Sequence, residues 1–363
     1  MNHIDRGGRE YIVYAGTYTN GTSKGIYGFR FDATCGTLRS IGLVAETVSP
    51  AFLAVHPNRE FLYAVNEIKQ HAGEATGLVS AYSICRRTGA LSHIGTVRSR
   101  GAGPCHIAVD RLGKFAVASN YVGGSVASFP IRQDCGLEEA SSCIQHVDSC
   151  ASSQGQRRAH PHGAFFSPDD RVVVVPDLGL EKLFVYSIGS GASLQSMADS
   201  LELPTGFGPR QFAFHPSRRF GYSVNQCNAT VTAFHCNSAS LPIGPFQTVS
   251  TLPPGFTGAN ETAQIEIDPQ GRFLYVSNRG ADSIAVFAVG EEGGLRVVQH
   301  APTQGQYPRH FAIDPSGRFL LVANQYSGNL VTFVVDEENG KISPIAQVEG
   351  IDTPACVVFV PMT

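Results

Sequence analysis

An eleven-residue segment recurs six times along the chain, roughly every fifty residues. Each copy opens with a polar turn that usually contains proline and a basic residue, continues as a β-prone apolar run, and ends in asparagine or aspartate. The copies are HPNREFLYAVN (56–66), DRLGKFAVASN (110–120), SPDDRVVVVPD (167–177), HPSRRFGYSVN (215–225), DPQGRFLYVSN (268–278) and DPSGRFLLVAN (314–324). A repeat of this length predicts the blades of a β-propeller.

One repeat unit shows four separate strand-like runs, which is the number expected for a propeller blade. The runs are rich in Val, Ile, Phe and Tyr, are broken by Gly, Pro and Asn, and read AFLAVHP, FLYAVNE, GLVSAYSIC and LSHIGTVRS. We therefore predict an all-β fold with four-stranded antiparallel blades.

The two chain ends supply a seventh blade. TPACVVFVP (353–361) matches SPAFLAVHP (49–57), and YIVYAGT (11–17) matches FLYAVNE (61–67). Pairing these ends would remove the open seam of the ring, since the C-terminal strand would join a blade built from residues 11–45. We predict one seven-bladed propeller domain over residues 1–363, with the polar stretch 134–160 as a surface loop or lid.

Composition and charge exclude several classes of partner. The 363 residues carry a formal net charge of −3 and no long Lys/Arg run, so neither nucleic acid nor an anionic membrane is expected. The polar start MNHIDRGGRE lacks the apolar core of a signal peptide, and no apolar stretch approaches the roughly 18 residues that span a bilayer. We expect a cytoplasmic protein, and the sequence leaves its oligomeric state open.

The cysteines and histidines do not have the spacing of a metal site. The nine cysteines are odd in number and include no CxxC pair, which argues against a zinc site or a disulfide framework. The HPH segment at 160–162 has no carboxylate pair nearby. The sequence therefore predicts no bound metal.

Propeller topology places two sets of side chains at one mouth of the central channel. The start of each first strand and the end of each second strand lie at the same end of their hairpin, and the innermost strands surround the channel. Aligning the repeats on their turns puts a proline, or once Thr262, at the start of each first strand. The residue after the second strand forms the other lip, and we assign this position to Thr17 in the closing blade.

These positions vary sharply between blades and bring basic and acidic groups together. The expected mouth residues are Arg210, Arg279, Arg309, His106, His162, His310 and Glu67, with Gln211 and Gln226 beside them. Several cations at one mouth suit a small anionic substrate with a carboxylate or phosphate. Such focused positive charge is costly unless a ligand uses it.

Longer segments resemble the lactonase family of seven-bladed propellers, which includes propeller-type 6-phosphogluconolactonases and fungal carboxy-cis,cis-muconate cyclases. The resemblance covers nearly the whole chain. It is carried by YAGTYTNGTSKGIYGFRFD, HPHGAFFSPDDRVVVVPDLG, GPRQFAFHP, RFLYVSNRGADSIAVF and YPRHFAIDPSGRFLLVANQ.

The resemblance implies hydrolysis of a sugar-type lactone in carbohydrate metabolism, as in the pentose phosphate pathway, without a cofactor. It implies active residues at His162, Arg210, position 226 and Arg279. Two residues depart from the family pattern: Gln211 replaces a histidine, and Gln226 replaces an acid. A carboxamide cannot act as a general base, although it can position water or substrate.

Three functions remain open at this point. The first is lactone hydrolysis, in which His162 accepts a proton from water, assisted by His106 or Glu67, and Arg210 and Arg279 stabilise the oxyanion. The second is a cyclase or isomerase that acts on an unsaturated acid. The third is a non-catalytic propeller that binds a metabolite, since fold alone does not determine function.

Overall fold

A computed structural model describes residues 10–147, 158–197, 200–239 and 241–362. Seven antiparallel sheets follow one another along the chain, as predicted for a seven-bladed propeller. The closing blade takes its first three strands from the N-terminal part of the chain: β1 (Glu10–Thr17), β2 (Gly25–Asp32) and β3 (Thr37–Glu46).

The first and second blades each contain four strands that follow one another in sequence. In the first blade these are β4 (Pro50–Val55), β5 (Phe61–Asn66), β6 (Leu78–Ile84) and β7 (Leu91–Arg98). In the second blade they are β8 (Pro104–Val109), β9 (Phe115–Asn120), β10 (Ser125–Pro130) and β11 (Ser142–Gln145).

The third blade is the least regular. It contains β12 (Phe165–Phe166), β13 (Val173–Asp177), β14 (Lys182–Ile188), a 3-10 turn (Ser190–Ala192), β15 (Leu194–Ser196) and β16 (Leu201–Glu202). Its outer position is divided because both β15 and β16 pair with β14. Its inner strand is short, although an isolated bridge joins Pro161 to Asp177 ahead of it.

The remaining blades return to four strands. The fourth contains β17 (Pro209–Phe214), β18 (Phe220–Asn225), β19 (Thr230–Cys236) and β20 (Pro242–Ser250). The fifth contains β21 (Glu261–Ile267), β22 (Phe273–Arg279), β23 (Ser283–Val289) and β24 (Leu295–Pro302). The sixth contains β25 (Pro308–Ile313), β26 (Phe319–Asn324), β27 (Asn329–Val335) and β28 (Ile342–Glu349).

The last strand closes the ring. β29 (Pro354–Pro361) pairs antiparallel with β1 and forms the inner strand of the closing blade, so the predicted closure is confirmed. Across the adjoining seam, the rings of Phe31 and Phe319 meet edge to face at 5.5 Å. Buried apolar clusters lie between all neighbouring pairs of blades in the described chain, so each blade contributes to two of them.

The segment 134–160 differs in part from the predicted surface loop. Its residues Ser142–Gln145 form β11, the outermost strand of the second blade, and Leu137 is buried in the core beside them. Intermediate and exposed side chains alternate along β11, as in an edge strand, and a polar sequence can form such a strand because few of its side chains are buried. Residues 148–157 lie outside the described residues.

The repeated turn and its closing asparagine are structural. In the turns that begin at Asp110, Asp268 and Asp314, the carboxylate accepts hydrogen bonds from backbone N–H groups four or five residues later. The closing Asn120 donates to the carbonyl of Ser99, in the connection from the preceding blade. None of the described residues forms a helix long and apolar enough to cross a membrane.

Candidate active site

Each blade presents three consecutive layers of side chains to the central channel. The upper ring contains the residues that follow the second strands: Tyr18, Glu67, Tyr121, Leu178, Gln226, Arg279 and Gln325. The middle ring contains the residues that follow the proline, or Thr262 in the fifth blade, at the start of each inner strand: Ala51, Cys105, His162, Arg210, Ala263, Arg309 and Ala355. The lower ring contains Phe52, His106, Gly163, Gln211, Gln264, His310 and Cys356.

The upper ring corrects one position in the closing blade. Pro354 pairs with Thr17, in the way that Pro50 pairs with Asn66, so Thr17 takes the asparagine position. Tyr18 then stands where the first blade has Glu67, and its N–H donates to Thr353 O at 3.2 Å. The sequence alignment was wrong by one residue here because the closing blade has Thr17 where the other blades have asparagine or aspartate, so the residue that marks the end of the repeat is missing.

Two connected spaces lie between these rings. The mouth pocket, about 240 Å³ in volume, is lined by Tyr18, Glu67, Cys105, Tyr121, His162, Gln226, Arg279 and Arg309. Beneath it, a cavity of about 10 Å³ is lined by Ala51, Phe52, Cys105, His162, Arg210, Gln211, Arg309, His310 and Ala355. The inner cavity is no larger than about one water molecule, so a substrate would occupy the mouth pocket.

Eight of the nine predicted site residues line one of these two spaces. His106 is the exception. It lies in the lower ring, its Nδ1 accepts a hydrogen bond from Ala164 N at 3.2 Å, and its ring packs against Phe52 and Phe165 with centroids 4.2 and 4.8 Å away. Burial lowers the pKa of His106 to about 3, so the ring stays neutral in the channel floor.

Two other lower-ring side chains join neighbouring blades in the same way. His310 Nδ1 accepts from Val357 N at 3.3 Å, and Gln211 Oε1 accepts from Ile265 N at 3.3 Å. Burial lowers the pKa of His310 to about 3 as well. Gln211 therefore makes the inter-blade hydrogen bond that a neutral histidine makes elsewhere in this ring, so its departure from the family pattern leaves the scaffold intact.

Arg309 is held on one side of the mouth by Tyr18 and Glu67. Its Nη2 donates to Tyr18 Oη at 2.5 Å, and that hydroxyl donates to Glu67 Oε2 at 2.7 Å. Burial raises the pKa of the Glu67 carboxyl, while Arg309 and the Tyr18 hydrogen bond oppose that rise. The charge of Arg309 is thus fixed in place and partly compensated.

Arg279 is held in the fifth blade, next to the sixth blade that carries Arg309. Its guanidinium donates to Glu261 O, Thr262 O and Tyr307 Oη, at 3.3, 3.1 and 3.2 Å. Its Nη2 also lies 3.4 Å from Glu261 Oε2. Burial, followed by the like charge of Arg309, lowers the pKa of Arg279.

Arg210 belongs to the inner strand of the fourth blade and has no carboxylate partner among the described residues. Its Nη1 donates to Ala263 O, and its buried Nε has no hydrogen-bond partner. Burial, together with the charges of Arg279 and Arg309, lowers the pKa of Arg210 well below its usual value. Three guanidinium groups face the two carboxylates of Glu67 and Glu261, which leaves one positive charge uncompensated at the mouth.

His162 is the histidine that both spaces share. Its backbone N–H donates to Pro176 O at 3.0 Å, and Tyr121 packs edge-on against its ring with centroids 5.3 Å apart. Burial, and then Arg210 and Arg309, lower the pKa of His162 well below its usual value. The imidazole is neutral near pH 7 and can accept a proton, and an anion bound to the arginines would raise its basicity.

Three side chains that the sequence analysis did not single out complete the mouth. Tyr18 was displaced by the alignment error, and Glu261 and Tyr307 each lie one residue before the aligned position of their blade, Thr262 and Pro308. The sequence carried a signal for Glu261 and Tyr307, because polar and aromatic side chains also occur one residue before the aligned position of the inner strands. In the described parts of the chain, no three His, Cys, Asp or Glu side chains are grouped so that they could hold a metal ion.

Comparison with known proteins gives consistent matches over nearly the whole chain. The family model described as "Lactonase, 7-bladed beta-propeller" matches residues 12–359. A Bacillus subtilis protein named 6-phosphogluconolactonase is 35% identical over 96% of this chain and 98% of its own length. One from Formosa agariphila is 33% identical over 83% of this chain and 85% of its own length. The structure of a periplasmic gluconolactonase from Pseudomonas aeruginosa superposes with a TM-score of 0.89 and 32% identity, covering 98% of this chain and all of that one.

Proposed function

Because this chain belongs to the lactonase family of seven-bladed β-propellers, we propose that it hydrolyses 6-phosphoglucono-δ-lactone. The observation that carries the proposal is the uncompensated guanidinium of Arg210 beside the neutral imidazole of His162. The Arg210 guanidinium can bind a phosphate or a developing oxyanion, and the His162 imidazole can accept a proton from the attacking water molecule. The names of the relatives support the same substrate.

The proposed reaction uses side chains of the mouth pocket together with Arg210, which lines the inner cavity beneath it. Water adds to the lactone carbonyl carbon as His162 accepts one of its protons, and the carbonyl oxygen becomes an oxyanion beside Arg210. The tetrahedral intermediate then collapses, the bond to the ring oxygen breaks, and that oxygen takes the proton from His162. Arg309, fixed by Tyr18 and Glu67, holds the phosphate.

The role of His106 in this scheme is to pack the channel floor. Its neutral ring lies beneath the inner cavity, so it supports His162 through the scaffold and does not receive the proton. His310 and Gln211 act in the same way, through inter-blade hydrogen bonds.

The size and charge of the mouth suit a small anionic ligand such as a phosphorylated lactone. About 240 Å³ is below the 300–1,000 Å³ or so that is usual for drug-sized ligands. A muconate-type cyclase or isomerase would use the same arginines on an unsaturated acid and stays the second candidate. The cytoplasmic location and the place in the pentose phosphate pathway also stay predictions.

The test is pH-stat hydrolysis of freshly prepared 6-phosphoglucono-δ-lactone, corrected for spontaneous opening, with unphosphorylated gluconolactone alongside. We expect a fast rate that depends on the phosphate and falls roughly 100-fold or more in Arg210→Ala and His162→Ala. Arg100→Ala, at an exposed arginine that does not line the mouth pocket, is the matched control and should leave the rate unchanged.

Two results would contradict the proposal. A wild-type rate equal to the background on both lactones would exclude lactone hydrolysis of this type. Full activity in both active-site variants would show that the chemistry occurs elsewhere. Loss of diene absorbance with a muconate-type acid would support the second candidate instead.

A further inference from the structure

Glu261 is an acid at the mouth that the proposed reaction does not yet use. It is the first residue of β21 and pairs with Arg279 across the ladder. Its side chain is 48% exposed, whereas that of Arg279 is 4% exposed. The carboxylate therefore stands at the entrance of the pocket while it holds a buried guanidinium behind it.

The same carboxylate connects side chains from three blades. Gln226 Nε2, from the fourth blade, donates to Glu261 Oε1 at 3.3 Å. Tyr307 Oη, from the sixth blade, donates to Glu261 Oε2 at 3.0 Å, and Arg279 approaches the same oxygen. Because the amide N–H₂ of Gln226 faces the carboxylate, its carbonyl oxygen is left as the acceptor that a substrate hydroxyl or water can use.

Tyr307 is itself rigidly placed. Its ring stacks on Tyr326 with centroids 4.0 Å apart and planes 14° apart, and the Arg279 guanidinium lies 4.9 Å from its centroid. Its φ is 62°, at a position where other blades have Gly103 and Gly208. The left-handed region is unfavourable for a tyrosine, and these contacts offset that cost.

We infer that Glu261 is the positioning residue of this site: its carboxylate orients Arg279 and Gln226 toward the bound lactone. The inference rests on the proposed function for the identity of the ligand. Its chemical basis is a carboxylate–carboxamide pair at 3.3 Å whose two members could exchange places. Exchange would keep one carboxylate and one amide at the mouth, and would keep an anion near Arg279.

An exchange of the two side chains tests the inference. The proteins are wild type, Glu261→Gln, Gln226→Glu and the double variant, with Glu292→Gln as control because Glu292 is an exposed acid that pairs with Arg219. The readouts are kcat and KM on the phosphorylated lactone and calorimetric affinity for the product, 6-phosphogluconate. Glu261→Gln should lose about tenfold in kcat and bind the product several-fold more weakly, because Arg279 and Gln226 are released.

The double variant separates positioning from a general loss of folding. Gln226→Glu alone places two carboxylates side by side and should also lose activity, whereas the double variant should return to within about threefold of wild type. A double variant no better than Glu261→Gln would overturn the inference. Glu261→Gln binding the product as tightly as wild type would also overturn the inference, because the carboxylate would then have no part in orienting the groups that bind the product.

Failure of the proposed function would look different. A wild-type protein with no rate above background on the lactone would remove the proposed reaction. The product-affinity arm would still decide the role of Glu261, because weakening in Glu261→Gln and recovery in the double variant do not depend on turnover.

Discussion

At the scale of single residues, Glu266 is a half-buried acid that lies between two inner strands. Gln264 Nε2 donates to its Oε1 at 3.3 Å, and Ile313 N donates to its Oε2 at 2.9 Å. These hydrogen bonds favour the charged form, yet burial is the larger effect and raises the pKa of Glu266 to about 7 from its usual 4.5. The folded protein therefore holds a proton that the unfolded chain releases.

This difference predicts how stability depends on pH. A raised pKa in the folded state stabilises the fold fully below about pH 4.5, and the contribution is lost as the pH rises toward 7. Glu266→Gln should therefore unfold at a higher urea concentration than wild type at pH 8, with the difference shrinking toward pH 4.5. The glutamine can be accommodated because Gln264 Oε1 has no partner and can turn to accept its N–H₂.

Urea titrations of both proteins at several pH values make the measurement. Glu292→Gln, at a largely exposed acid, is the control and should shift little at any pH. A Glu266→Gln protein that is less stable than wild type at pH 8 would mean that the ionised carboxylate is the stabilising form.

At the scale of strands, a repeated tyrosine fastens each of several blades to the next. The phenol groups of Tyr14, Tyr63, Tyr222 and Tyr275 donate to Gly89 O, Cys135 O, Gly293 O and Gly340 O. All four are fully buried in second strands, and each acceptor lies in the outer turn of the following blade. The tyrosine of FLYAVN-like repeats thus packs in the core and also donates a hydrogen bond to the next blade.

Removing one of these hydroxyl groups should weaken the fold without affecting the site. Tyr222→Phe is expected to lower the free energy of unfolding by about 1–2 kcal/mol, because Gly293 O loses its partner in a buried place. Tyr275→Phe should cost a similar amount. The two losses should add in the double variant because different acceptors are involved.

Chemical denaturation followed by circular dichroism gives these values, and kcat on the lactone should stay at the wild-type level. An unchanged free energy of unfolding in Tyr222→Phe would show that water replaces the lost donor.

At the scale of the whole molecule, the chain is a ring closed by its own ends. β29 is the inner strand of the closing blade, and residues 350–353 connect it to the sixth blade across the seam. Removing residues 354–363 would uncover an edge of β1 and take Ala355 from the inner cavity. The truncated chain should show no cooperative unfolding transition and no activity.

A circular permutant is the matched control for this truncation. Joining the original termini by a short linker and opening the chain between Gly350 and Ile351 keeps every strand, so the permutant should fold and turn over substrate. It should unfold faster in urea, since the seam would be held only by non-covalent contacts such as the packing of Phe31 on Phe319 and the hydrogen bond from Val357 N to His310 Nδ1. A truncated protein with wild-type cooperativity would show that β29 is dispensable.

The fold was largely predictable because each blade repeats a local pattern. The turn chemistry of HPNREFLYAVN-like segments, the alternation of strands and breakers, and the match between the two chain ends predicted the blades and the closure. The prediction was less accurate where the pattern weakens. β11 lies in a polar segment, and the divided edge of the third blade carries no signal of its own.

The site divides in the same way between sequence and tertiary structure. The sequence by itself determined which blades carry Arg210, Arg279, Arg309, His162 and Glu67 at the mouth, because strand register follows from the repeat. Only the tertiary structure decided their electrostatic roles, since burial and distance between blades are not local properties. It placed His106 in the floor, put Tyr18 in the position expected for Thr17, and brought Glu261 against Gln226, because strand pairing at the closing blade and contacts between blades are not specified by the repeat.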